Sequence, residues 1–191
     1  REDELRLRLL SKSIVIKDFR SPEVLLDEVS LCIHRPHNHL TPAQRRLVDS
    51  LHRPEMVLKN RKVLVVDDDM RNIFAMTSLL ERYEMNVSSA ENGKDAIAAL
   101  DRDPAFEMVL MDIMMPGMDG YETMRVIRLD SRFESLPIIA LTAKAMKGDR
   151  EKCLEAGASD YISKPVDTDS LLSLLCIWLY RNHALAQDIN R

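Results

Sequence analysis

The sequence predicts a doubly wound α/β fold built on a five-stranded parallel sheet, and three observations carry that expectation. Short apolar runs recur at Lys62 to Val66, Met85 to Ser89, Met108 to Met111, Pro137 to Leu141 and Ser159 to Ile162. Helically spaced apolar residues alternate with them. The run ending in Val109-Leu110-Met111 is apolar throughout, the pattern of a strand covered on both faces, and it breaks after Asp112 into a loop rich in Pro and Gly. Strands that alternate with helices pair in parallel, and right-handed crossovers then place helices on both faces.

The helical segments follow in order. Ile73, Met76, Leu79 and Leu80 form the first apolar face, and Ala96, Ile97 and Leu100 the second. Met124 with Ile127, Cys153 with Leu154, and Leu171 to Leu179 supply the rest. The run at Met85 to Ser89 is the weakest strand, with only Met85 and Val87 apolar. Residues 61–182 make up this domain, and residues 183–191 are left as a tail.

Upstream, Glu2 to Leu10 reads as a helix, Ser13 to Lys17 as a strand, and Ser21-Pro22 as the start of a second helix. That unit resembles the far end of the chain: Lys17 falls where Lys164 does, and Val24-Leu25 where Leu171-Leu172 do, although Asp18 replaces Pro165. Residues 1–40 are therefore expected to be the C-terminal remnant of a preceding module of similar fold. Lacking most of a sheet, they are expected to pack on the intact domain or on a second copy as a homodimer. Residues 41–60 read as a linker. Thr41-Pro42-Ala43-Gln44 opens a short helix, Pro54 stops it, and Glu55 to Asn60 is a connector.

Composition narrows the function. Hydrophobic residues at 46% with 30% charged residues are those of a water-soluble domain, and a net charge of -4 gives no electrostatic reason to expect nucleic acid. No apolar run reaches membrane-spanning length and no signal peptide opens the sequence, so no membrane contact is expected from this segment. Cys32, Cys153 and Cys176 are scattered in apolar helical patterns, as expected of reduced thiols in the cytoplasm. The first residue is Arg1 rather than Met, so a longer parent is expected, one open to membrane anchoring elsewhere.

The polar residues at the strand ends suggest the chemistry. Ligands in open α/β sheets bind at the carboxyl ends of the strands. The first strand ends in Asp67-Asp68-Asp69, the third in Asp112, the fourth at Thr142 and the fifth in Ser163-Lys164-Pro165. Adjacent carboxylates repel, and a hard divalent cation such as Mg²⁺ offsets that cost. Asp112 is then placed to attack phosphorus as a nucleophile, with a metal held by Asp68 and Asp112 helped by Asp67. Thr142 supplies a hydrogen bond and Lys164 a fixed positive charge to the transferring group. Each residue has a plainer reading alone: Asp67 to Asp69 as caps of a helix from Met70, Thr142 as a strand end, Lys164 as a solvated lysine. Their joint occurrence in this strand order favours the chemical one.

Val65-Val66-Asp67-Asp68-Asp69, Leu110-Met111-Asp112 with Met114-Met115-Pro116-Gly117-Met118-Asp119-Gly120, Ala140-Leu141-Thr142-Ala143 and Ser163-Lys164-Pro165 together resemble the receiver domain of two-component response regulators. The likeness implies a flavodoxin-like sheet of order 2-1-3-4-5 and phosphorelay signalling, the receiver catalysing its own phosphorylation without being a conventional enzyme. It implies Asp112 as phosphoacceptor and Asp67, Asp68, Asp112 and the Met114 carbonyl as Mg²⁺ ligands. It further implies Thr142 and Tyr161 as the switch pair, Lys164 as the phosphate-binding lysine, and a cis Lys164–Pro165 bond. Two receiver-like segments in tandem resemble a hybrid histidine kinase. The implied partners are the kinase domain of the same parent and a histidine phosphotransfer protein. Met114 and Lys144 flank the acceptor and neither positions a water well, so a persistent acyl phosphate is expected.

Two alternatives belong to other classes. Phosphatases of the haloacid dehalogenase type share strand-end Asp, Thr and Lys residues, and Asp67 with Asp69 has their Asp-x-Asp spacing. Arg71 departs from that pattern, and no later acidic pair is evident. The other is an interaction module that takes no phosphate. His34, His37 and His39 sit in a turn without cysteine or a nearby acid, as surface histidines rather than zinc ligands.

Overall fold

The computed structural model describes residues 54–143 and 149–189, the side chains of 181–189 excepted. The expected remnant at 1–40, the helix opening at Thr41, the three turn histidines, Cys32 and Lys144 lie outside the described residues.

The elements run in the order α1 (Pro54–Leu58), β1 (Lys62–Val66), α2 (Met70–Glu81), β2 (Asn86–Ala90), α3 (Gly93–Arg102), β3 (Met108–Asp112), α4 (Gly120–Leu129), a 3-10 turn (Ser131–Phe133), β4 (Ile138–Thr142), α5 (Asp149–Glu155), β5 (Asp160–Ser163) and α6 (Thr168–Ile189). All five strands are parallel, in the order β2-β1-β3-β4-β5. This is the doubly wound order expected of the chain.

Period-two alternation divides the core. Val63, Val65, Met108, Leu110, Ile139 and Leu141 point to the face covered by α2 and α6, where they meet Ile73, Leu80, Leu171, Leu175 and Leu179. Leu64, Val66, Val109, Met111, Ile138 and Ala140 point to the opposite face, under Leu100 of α3, Met124 and Ile127 of α4 and Cys153 of α5. The central strands β3 and β4 are buried along their whole length. β2 is one of the two edge strands and is mostly exposed, which explains why its sequence pattern is weak. Cys153 and Cys176 are free and buried thiols.

Two expectations need correction. Pro54 opens a short helix of its own, since proline at the first helical position surrenders only an N–H that would go unpaired anyway. The supposed connector from Glu55 is therefore largely helical. α1 packs on α6, and Leu58 is wholly buried there among Leu175, Cys176 and Leu179. At the other end, α6 runs on through residues 183–189, which the pattern of apolar positions leaves as a tail.

Four strands also end one residue later than their apolar runs. Asp112 still pairs with Leu141, and Thr142 with Ser163. The backbone ladder thus continues past the point where side chains turn polar. This extension holds Asp112 and Thr142 within the sheet itself, while Asp67 and Lys164 follow directly after their strands.

Candidate functional site

The carboxyl edge of the sheet gathers Asp67, Asp68, Asp112, Thr142 and Lys164. Val66 of β1 pairs with Met111 of β3, so Asp67 follows directly beside Asp112. Thr142 lies one residue beyond Leu141, the partner of Asp112, and is buried. Lys164 follows Ser163, the partner of Thr142, and its N–H donates to the Thr142 carbonyl at 2.7 Å. The Lys164–Pro165 bond is cis.

From there the lysine reaches back across β4. Its Nζ lies 2.7 Å from Oδ2 of Asp67 and 3.0 Å from Oδ2 of Asp112. These two carboxylates are only 2% and 4% exposed as residues, so the ammonium compensates charges that water cannot reach. Burial pulls the lysine's pKa down, but hydrogen bonds to Asp67 and Asp112 outweigh it, and the net displacement is upward.

Asp67 is held more tightly than the rest. Its Oδ1 accepts from the Asp69 N–H at 2.9 Å and from Asn72 Nδ2 at 2.9 Å, and Oδ2 lies 3.2 Å from the same amide nitrogen. Asn72 is the contact that the sequence did not disclose. An asparagine in the first turn of a helix reads as one more polar position, and only its placement five residues after Asp67 hints at a bond. Asp112 accepts from the Met114 N–H at 3.3 Å, the loop turning back over its own acid. Gly120, at the start of α4, lies against this loop. A Cβ there would stand 2.3 Å from the Asp112 carbonyl oxygen, so only glycine lets α4 begin so close to the site.

Asp67, Asp68 and Asp112 each offer a carboxylate oxygen, and those three oxygens all lie within 4.8 Å of one another. Among the described residues, three hard anionic ligands against the Lys164 ammonium leave the cluster short of positive charge. The donor set therefore fits a divalent cation that prefers oxygen. Asp69 does not join it. It caps α2, accepting from the Arg71 N–H at 2.9 Å, and pairs with the Arg71 guanidinium at 2.6 Å. Those bonds, the Arg71 side chain foremost, hold the Asp69 carboxyl down to about 2. The Asp-x-Asp spacing is thereby used for a helix cap, which removes the feature that suggested a phosphatase.

Tyr161 pairs through β5 with Ala140 and is half-buried against the apolar cluster under α3, α4 and α5. Met114 is well exposed beside the acceptor loop. Among the described residues no helix is long and apolar enough to cross a membrane.

A parallel sheet of this order, with acids and a lysine meeting at its carboxyl edge, defines a doubly wound α/β domain with an anionic, cation-binding site. The sequence model of the response regulator receiver domain matches residues 63–175, and the chain belongs to that family, the phosphotransfer modules of two-component phosphorelays. It is 34% identical over 169 residues to the sensor histidine kinase GacS of Pseudomonas protegens, covering 78% of this chain but 18% of that protein. It is 37% identical over 114 residues to protein PilH of Pseudomonas aeruginosa, covering 60% of this chain and 93% of PilH. Among solved structures it resembles the receiver domain of the sensor histidine kinase PA1611 of Pseudomonas aeruginosa, determined with a magnesium ion coordinated in its active site cleft. That match has 35% identity and a TM-score of 0.59, and it covers 63% of this chain and 98% of that one. Chemotaxis protein CheY4 of Vibrio cholerae matches at 28% identity with a TM-score of 0.58, covering 61% of this chain and 96% of that one. The chain thus spans under a fifth of the kinase GacS but nearly all of the single-domain relatives.

Proposed function

We propose that Asp112 is the phosphoacceptor of this receiver and that it takes its phosphoryl group from a phosphohistidine. The observation that carries the reading is the buried Asp112 carboxylate within 3.0 Å of Lys164 and beside two further acids. In the transfer, an Asp112 oxygen forms the new P–O bond while the P–N bond to the donor imidazole breaks. The imidazole nitrogen leaves with the electron pair and takes a proton from water.

Lys164 supplies a fixed positive charge to the transferring oxygens, and Thr142 donates to one of them. Asp67, Asp68 and Asp112 would hold Mg²⁺, with the Met114 carbonyl assigned by family likeness. The ion's contribution is to neutralise charge on the phosphoryl group. Thr142 and Tyr161 form the switch: the hydroxyl moves to the phosphoryl group and the ring turns inward behind it. Met114 follows the acceptor Asp112 in sequence and Lys144 follows Thr142. By family likeness these are the places flanking the phosphoryl group, and neither side chain is a positioner of water, so the acyl phosphate persists.

The parent is a hybrid sensor histidine kinase, a reading supported by the likeness to GacS over more than the receiver alone. Its kinase domain is the donor, a histidine phosphotransfer protein the onward acceptor, and this segment works in the cytoplasm.

Mass spectrometry after incubation with acetyl phosphate and Mg²⁺ tests the core of this. Wild type gains a single phosphoryl group, and Asp112→Asn gains none. Equal labelling of the two proteins, or none of wild type, overturns the assignment.

A further inference from the structure

Asn72 takes no part in the transfer just described, yet it makes the principal side-chain contact to Asp67 other than Lys164. Its Nδ2 spans the carboxylate, 2.9 Å from Oδ1 and 3.2 Å from Oδ2. The Asp69 N–H, also at 2.9 Å, completes the support of Oδ1. Both of these donors belong to the start of α2, and neither also contacts Asp112 as Lys164 does.

Lys164 is a different kind of partner. It is shared between Asp67 at 2.7 Å and Asp112 at 3.0 Å. A phosphoryl group on Asp112 brings further anionic oxygens into reach of the same ammonium and competes with Asp67 for it. Asp67 then loses its charged donor when its orientation matters most. Asn72 supplies a neutral donor that cannot be drawn away. It also faces a cleft of about 340 Å³ between α2 and α6, lined by Ala75, Met76, Leu79 and Val166. Without the amide, water from this cleft would meet Asp67, and a mobile donor leaves the carboxylate free to turn.

We infer that Asn72 is a positioning residue for the cation site: it fixes the Asp67 carboxylate so that one oxygen stays directed at Mg²⁺ while Lys164 passes to the phosphoryl group. The inference rests on the phosphoacceptor reading above and extends it to a residue outside the acid cluster. Donors behind metal ligands act in this way in general, orienting the ligand and setting its affinity.

The test uses the whole chain. Mg²⁺ affinity is measured by titration calorimetry for wild type, Asn72→Leu and Asn72→Gln, with thermal melting in chelator and acetyl phosphate labelling alongside. Asn72→Leu keeps the shape without the donor and should bind Mg²⁺ on the order of 10-fold more weakly. Its labelling should recover as Mg²⁺ is raised. Asn72→Gln, which retains an amide on a longer arm, should fall between the two. A folded Leu or Gln variant that melts early in chelator yet binds Mg²⁺ as wild type does would show a merely structural role and overturn the inference. Wild type that takes neither Mg²⁺ nor phosphate would overturn the phosphoacceptor reading itself.

Discussion

Lys164 Nζ stands 3.0 Å from Oδ2 of Asp112, although the two residues leave the sheet from strands separated by β4. The lysine arrives along the carboxyl edge and ties the fifth strand to the third and, through Asp67, to the first. Without a metal, this ammonium offsets the repulsion between the buried acids that lie side by side.

Removing it leaves them facing one another. Lys164→Met should destabilise the metal-free protein by on the order of 3 kcal/mol, the usual cost of orphaning buried charge. Mg²⁺ should restore much of the loss, since a bound cation replaces the missing compensation. Urea unfolding with chelator and with Mg²⁺ measures both. The folded-state pKa of the lysine is raised above 10.5, so its stabilising contribution is complete below that value. It should disappear only as pH rises through the higher folded-state value. A variant as stable as wild type in chelator would contradict this account.

The carboxyl of Asp69 should titrate near 2, well under the ordinary 3.8, because the Arg71 side chain and N–H both bond to it. Its contribution to folding is therefore present above 3.8 and fades as pH falls toward 2. Carbon-detected NMR of the carboxyl gives the midpoint directly. Arg71→Ala should move it upward but not fully, as the backbone donor survives the substitution. A midpoint unchanged by that substitution would refute the ion-pair explanation.

Gly120 and Gly117 make a controlled pair. An added Cβ at Gly120 meets the Asp112 carbonyl oxygen at 2.3 Å, so Gly120→Ala must push α4 off the end of β3. It should cost about 1–3 kcal/mol through overpacking and slow labelling of Asp112 as well. Gly117 has a φ of +79 with open space around it. Gly117→Ala should cost about 1–2 kcal/mol in backbone strain, with a smaller effect on labelling. Denaturation with parallel acetyl phosphate kinetics distinguishes them; equal kinetic defects would mean that proximity to Asp112 is irrelevant.

Leu58→Ala should cost about 2–5 kcal/mol, because the side chain is wholly buried between α1 and α6. Chemical unfolding checks it. A cost near zero would show that α1 contributes nothing to the folded unit.

The fold was legible because strand and helix periods alternate cleanly and the central strands are apolar along their length. The meeting of Asp67, Asp112, Thr142 and Lys164 at one edge is legible because the first three follow directly on apolar runs and Lys164 follows another after one intervening residue, and a parallel sheet brings such ends together. The helix at Pro54–Leu58 is hidden because five residues are too few for a helical period to show; the burial of Leu58 that anchors it is visible only in three dimensions. The strand ends were placed one residue short because hydrophobicity stops before backbone pairing does. Asn72 stayed hidden for a related reason: an amide's importance depends on what it faces, and position along the chain does not disclose that.

The seating of α1 on α6 has a mechanical side. The last helix starts four residues after Lys164 and carries, further along, the surface on which α1 rests. Tension applied at Pro54 is therefore shared with the helix that follows the phosphate-site lysine, rather than reaching only the first strand. A pull on α1 thus grips the module by two handles.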